Sequence, residues 1–141
     1  MSEFEVYSSE LLSSSKLFLE EAKADFAEGG KQRKLRAALT HAFFFLEAQL
    51  NYVASHFSSS SEFSVIERSL LSERDIALEN GNFILTEKTK FFKLEDRVEF
   101  LLARFSIDLV SAKGTWFSDL KSSIKVRNRL VHPKDAHSLE V

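Results

Sequence analysis

Apolar residues recur along this chain at spacings of three and four, the period of a helix that buries one face. The cleanest run is Leu35, Leu39, Ala42, Leu46, Leu50, Val53 and Phe57. It predicts a helix over 32–57, about 37 Å long at ~1.5 Å per residue. Around its middle, Phe43, Phe44 and Phe45 carry the apolar surface beyond a single face. A helix apolar on more than one side is covered on two sides, and in so small a chain the second cover could be another subunit. A first helix is predicted over 8–27 from Leu12, Leu19 and Phe26, widened by Leu11, Phe18 and Ala22, with Gly29-Gly30 as its end.

Ser58 to Ser61 makes a polar break. A less regular third helix is predicted over 62–79, on Ile66, Leu70, Ile76 and Leu78. Asn80-Gly81-Asn82 signals a turn. Phe83 to Leu85 is too short to classify, and a small hairpin and an extended link both fit. Leu94, Val98, Leu101, Leu102, Phe105 and Leu109 line one face of a helix over 93–110, which Lys113-Gly114 breaks. The last helix is predicted from about Thr115 to Val131. It ends at His132, because Pro133 disfavours helical geometry in the residue before it. A short polar tail, 133–141, follows.

Composition narrows the picture. One Pro and four Gly in 141 residues are too few for a β-sandwich or barrel, so an all-α single domain over 1–141 is expected. Phe supplies 14 of the aromatic residues, against two Tyr and one Trp, and a side chain with no polar handle must be buried in a core or an interface. The absence of cysteine excludes disulfides, thiolate metal sites and cysteine nucleophiles. The Met1-Ser2-Glu3-Phe4-Glu5 start has neither the basic residues nor the apolar run of a signal peptide, and the longest apolar cluster, Ala42 to Leu46, is too short for a bilayer. A cytoplasmic protein without membrane contact is therefore expected. With a formal net charge of -2, any nucleic-acid contact must rest on a local basic patch.

Candidate chemistry gathers on the last helix. Its seam is Phe117, Leu120, Ile124, Arg127 and Val131, so an arginine holds a position that patterning reserves for an apolar residue. A guanidinium there is costly unless it is paired or lines a wet, functional cavity. Asn128 and His132 lie four apart and can share one side of the helix end. An imidazole ordinarily titrates near neutrality, and a helix C-terminus favours its charged form. Arg129 and Lys134 add positive charge nearby. A guanidinium fork for phosphate, an amide for orientation and a proton-exchanging imidazole suit RNA, which brings its own nucleophile in the 2′-hydroxyl. Such chemistry needs no metal. His41 and His56 stand four turns apart on the long helix and cannot share an ion, so neither metal nor cofactor is expected.

The segment Val126-Arg127-Asn128-Arg129-Leu130-Val131-His132-Pro133 resembles the R-x4-6-H motif of the HEPN superfamily, in its form Arg-Asn-x-x-x-His followed by Pro. The preceding order is also similar: a long helix with Phe45-Leu46-Glu47, then a helix starting at Lys93-Leu94-Glu95-Asp96-Arg97. The resemblance implies a four- to five-helix up-and-down bundle and a homodimer whose two motif helices form one cleft. It implies a metal-independent endoribonuclease, often a toxin or defence effector, with RNA as substrate and an antitoxin or a nucleotidyltransferase-like protein as partner. Arg127, Asn128 and His132 would be catalytic. Glu47, as the extra polar residue on an earlier helix, would support them with Arg129 and Lys134. The resemblance equally admits a non-catalytic dimerisation module that binds a protein or a nucleotide.

Plainer readings stand beside these. Arg127 could pair with Glu47 or Glu99, and His132 could cap the last carbonyls of its helix. Phe43-Phe44-Phe45 reads as core rather than as a platform for bases. The basic run Lys31-Gln32-Arg33-Lys34-Leu35-Arg36 sits at a helix start, where the dipole prefers acids, and reads as a solvated face that could also guide RNA.

Overall fold

The computed structural model describes residues 2–141. The chain is mostly helical, with a β-hairpin between its third and fourth helices: α1 (Glu3–Ala24), α2 (Glu28–Phe57), α3 (Val65–Ser72), β1 (Arg74–Glu79), β2 (Asn82–Thr89), α4 (Leu94–Phe105), α5 (Leu109–Lys113) and α6 (Trp116–Val131), then a 3-10 turn over Ala136–Leu139. The described chain thus has six helices and a two-stranded sheet, where an all-α bundle of four or five helices was expected. Among the described residues, no helix is long and apolar enough to cross a membrane. Two compact units are distinguished, residues 1–46 with 114–141 and residues 47–113, the division falling within α2.

In the first unit, α1 starts earlier than its apolar stripe suggested, because Ser2 and Glu5 form a capping box that satisfies the first amides. The break to α2 comes at residues 25–27, ahead of Gly29-Gly30, and both glycines lie in the first turn of α2. Asp25 makes that break. Its carboxylate accepts from the Ala27 amide at 2.9 Å and from Lys34 Nζ at 2.7 Å. Gly30 faces the same carboxylate so closely that a Cβ there would collide with it. The Ser15 hydroxyl donates to the Ala38 carbonyl at 2.7 Å, tying α1 to α2 across the turn. Leu11 and Ala22 of α1, Ala38 and Phe43 of α2, and Phe117 and Ile124 of α6 are the buried apolar residues of this unit.

In the second unit, Ala54, Phe63 and Leu71 form a buried cluster with Phe57, Phe100 and Leu101 packed against it. The ring of Phe57 meets those of Phe63 and Phe105 at 5.4 and 5.3 Å. The expected third helix, 62–79, is cut in half. Ser64 and Glu67 start α3 with a second capping box, and Glu73 ends it in the left-handed conformation (φ 52°). Ile76 and Leu78, assigned to that helix by period, belong instead to β1, paired antiparallel with Leu85 and Phe83 of β2. Asn80 (φ 51°) and Gly81 (φ 79°) supply the two positive φ angles of a type I′ turn, whose twist matches that of a hairpin. The 93–110 helix also ends early, at Phe105, and α5 follows as a separate short helix.

One side chain holds α3, the hairpin and α4 together. Arg97 on α4 is buried, and its guanidinium donates to Glu73 Oε1 at 3.0 Å, to the Leu71 carbonyl at 2.9 Å and to Asn51 Oδ1 at 3.1 Å. Glu73 in turn accepts from the Phe92 amide at 3.2 Å through its carboxylate and from the Lys90 amide at 2.9 Å through its carbonyl. A left-handed glutamate costs roughly 1–2 kcal/mol, and these bonds hold it there.

Removing one partner of a buried pair strands the other, so Arg97→Ala is expected to lower unfolding stability by about 3–5 kcal/mol in urea titrations. A loss below 1 kcal/mol would show that the pair is dispensable. Acid should act on the caps. The Ser64 amide holds the Glu67 carboxyl below its ordinary 4.5, and the Lys34 ammonium lowers Asp25. A carboxyl with a depressed folded pKa adds stability above its unfolded pKa and loses it as pH falls through the folded one. The urea midpoint should therefore decline from about pH 4.5 downward, and a midpoint unchanged at pH 3 would contradict this.

Candidate functional site

The motif helix, α6, is fixed by its buried residues Phe117 and Ile124. Trp116 stacks edge-on against Phe117 at 5.8 Å, and the Lys121 ammonium lies 5.1 Å from the same ring. One turn beyond Ile124 the apolar seam reaches Arg127. Its guanidinium carbon lies 4.7 Å from the centroid of the Phe43 ring on α2. Phe43 is itself buried, so the charge is held against a rigid aromatic face. Such a contact is worth roughly 0.5–1 kcal/mol at exposed sites and more when water is excluded. A ring face fixes the plane of a guanidinium as well as its position. Arg127 is half-buried rather than sealed.

Asn128, next in the chain, is exposed, and its Oδ1 accepts from Arg127 Nη2 at 3.4 Å, the long end of a hydrogen bond. Its carbonyl accepts the His132 amide at 3.0 Å, the last helical bond of α6. His132 is the C-cap residue (φ -126°, ψ 65°), as the following proline requires, and its imidazole is exposed. The helix end therefore presents an amide and an imidazole one turn apart, beside a guanidinium seated on a phenylalanine.

The remaining sequence candidates separate. Arg129 turns to the tail and donates to the Glu140 carbonyl at 3.4 Å. Lys134 is exposed, and its amide donates to the Ser138 hydroxyl at 3.3 Å. Glu47 is half-buried on α2, just past the division between the two units. Glu99, the other carboxylate considered for Arg127, takes the Lys113 ammonium at 2.6 Å. His41 and His56 each bond a carbonyl of their own helix, at Ala37 and Tyr52, both at 2.8 Å. Among the described residues no group of His, Asp and Glu is placed to hold a metal ion.

Two residues escaped the sequence reading. Phe43 was taken for plain core, and nothing in a run of three phenylalanines says which one an arginine will cover. Arg97 was within reach. It lies between Leu94, Val98 and Leu101 on the α4 seam, the same breach of patterning that drew attention to Arg127.

Compared with known proteins, the chain matches no family model, no curated protein and no solved structure.

Proposed function

We propose that this protein is a metal-independent endoribonuclease of the HEPN type that acts as a homodimer in the cytoplasm. The observation that carries this reading is the end of α6, where an arginine braced on Phe43 stands beside an exposed amide and an exposed imidazole. In the proposed reaction Arg127 binds the scissile phosphate and stabilises the charge that grows on it. Asn128 orients the phosphate or the imidazole. His132 takes the 2′-hydroxyl proton or delivers one to the leaving 5′-oxygen. The 2′-oxygen attacks phosphorus, the P–O5′ bond breaks, and the products carry a 2′,3′-cyclic phosphate and a 5′-hydroxyl. No step calls on a metal ion.

Arg129 and Lys134 add positive charge to the RNA path, and Glu47 is kept as a supporting residue. Homodimerisation would bring two motif helices to one cleft. The exposed Phe44 on α2 supports a partner on that side of the helix. A cell making such an enzyme needs a restraint, so an antitoxin or a nucleotidyltransferase-like partner belongs to the same proposal, as does a role as a toxin or phage-defence effector.

A second reading draws on the same contact. An arginine stacked on a buried ring can be structural, and the chain would then be a non-catalytic dimerisation module that binds a protein or a nucleotide. Growth separates the two: expression alone should arrest cells under the first reading and leave them growing under the second.

The purified protein, in excess EDTA, is expected to cut single-stranded RNA to fragments ending in a 2′,3′-cyclic phosphate. His132→Ala should lower the rate by at least ~100-fold, the usual weight of a general acid or base. Cleavage by the His132→Ala protein at the parent's rate would refute the assigned chemistry.

A further inference from the structure

The basic run at the start of α2 has no part in the chemistry above, and helix stability does not explain it. Cations at a helix N-terminus oppose the dipole. Lys31 and Arg33 are exposed there, and Arg36 lies one turn on. The tail runs against this stretch. Arg36 Nη1 donates to the Leu139 carbonyl at 2.9 Å, the Gln32 amide oxygen accepts from the Val141 amide at 2.9 Å, and Arg129 of α6 donates to the Glu140 carbonyl. Arginines from two helices therefore close on consecutive carbonyls of one short segment. That segment is held in shape by Asp135, whose Oδ1 accepts from the Ser138 amide at 2.8 Å and from its hydroxyl at 2.9 Å, leaving Ser138 buried.

The acceptors opposite Arg36 and Arg129 are the neutral carbonyls of Leu139 and Glu140, not carboxylates. A phosphate would add opposite charge and a bidentate geometry to each fork, which a single carbonyl does not offer. Asp135 and Glu140 set negative charge along the same segment, so the tail has the electrostatic sign of the ligand it would exclude.

We infer that Arg36 and Arg129, with Lys31 and Arg33 beside them, form a binding surface for the RNA phosphate backbone, and that the 135–141 segment occupies it as a displaceable strap. The inference rests on RNA being the substrate, and it adds where the strand lies and what restrains its binding. RNA enters by exchanging tail carbonyls for phosphate oxygens.

The test pairs two substitutions of one residue. Asp135→Asn removes the charge and keeps an oxygen able to cap Ser138; Asp135→Ala removes both. The probe is a fluorescent 2′-O-methyl oligouridylate, which has no attacking hydroxyl and stays intact. Asp135→Ala is expected to bind it several-fold more tightly than Asp135→Asn at equal salt. The slope of log-affinity against log salt should be the same for both, because the bound RNA makes the same phosphate contacts once the strap has left. Adding Arg36→Gln should cancel the gain and make the slope shallower by about 0.7, one phosphate contact on a single strand. Equal affinities for the Asn and Ala proteins would overturn the inference. Should either variant misfold, the parent protein decides: saturating oligouridylate must speed amide exchange in 135–141, and unchanged or slower exchange there overturns the strap. Cleavage of ordinary RNA is scored separately. A tail effect without cleavage removes the nuclease reading and keeps the strap, whereas cleavage with identical Asn and Ala proteins removes only the strap.

Discussion

The ion pair between Arg97 and Glu73 is the constraint on which the second unit depends. Six apolar residues make its central cluster, too few to dictate how a short helix, a hairpin and a following helix should meet. The guanidinium settles that question by direction. It reaches Glu73 at the end of α3, the Leu71 carbonyl within it and Asn51 on α2, and Glu73 then grips the strand exit through the Lys90 and Phe92 amides. A buried pair of this kind is weak evidence of net stability, since packed apolar residues often do as well. Its contribution here is direction, for one set of bonds ties the end of α3, the exit of β2, α2 and α4 to each other.

The chain therefore has two arginines on helix seams, with different fates. Arg97 is enclosed and bound to acceptors on three neighbouring segments. Arg127 is half-buried and braced on the face of Phe43. The first arrangement ties three segments of a fold together. The second steadies a charge at a helix end, in the same turn of the chain as Asn128 and His132. That difference supports the proposal that Arg127, unlike Arg97, serves chemistry.

Much of this could be read from the residues. The long helix, the motif helix and its stop at His132 follow from an apolar period and from the geometry that Pro133 imposes. The hairpin was harder. Ile76 and Leu78 continue the spacing of Ile66 and Leu70 well enough to extend α3 on paper. What ends that helix is Glu73, a residue with no intrinsic preference for the left-handed conformation, held there by partners more than ten residues away in sequence. Gly29-Gly30 misled for a related reason: the break was made by the Asp25 carboxylate, and the glycines yield space to it inside the next helix. At the site, spacing put Asn128 and His132 one helical turn apart, and the last backbone bond of α6 joins them, whereas the covering of Phe43 by Arg127 depends on which of three adjacent rings turns toward α6. The tail read as polar and featureless because its contacts are backbone carbonyls, which carry no mark in the sequence.

The division of labour between the two arginines is the central claim, and one variant tests it most directly. Arg127→Ala protein should melt within a few degrees of the parent, the shift expected for losing a contact of about 1 kcal/mol, and should cut no RNA. A collapsed melting transition would make Arg127 a second structural tie, and undiminished cleavage would remove it from the chemistry; either result contradicts the account.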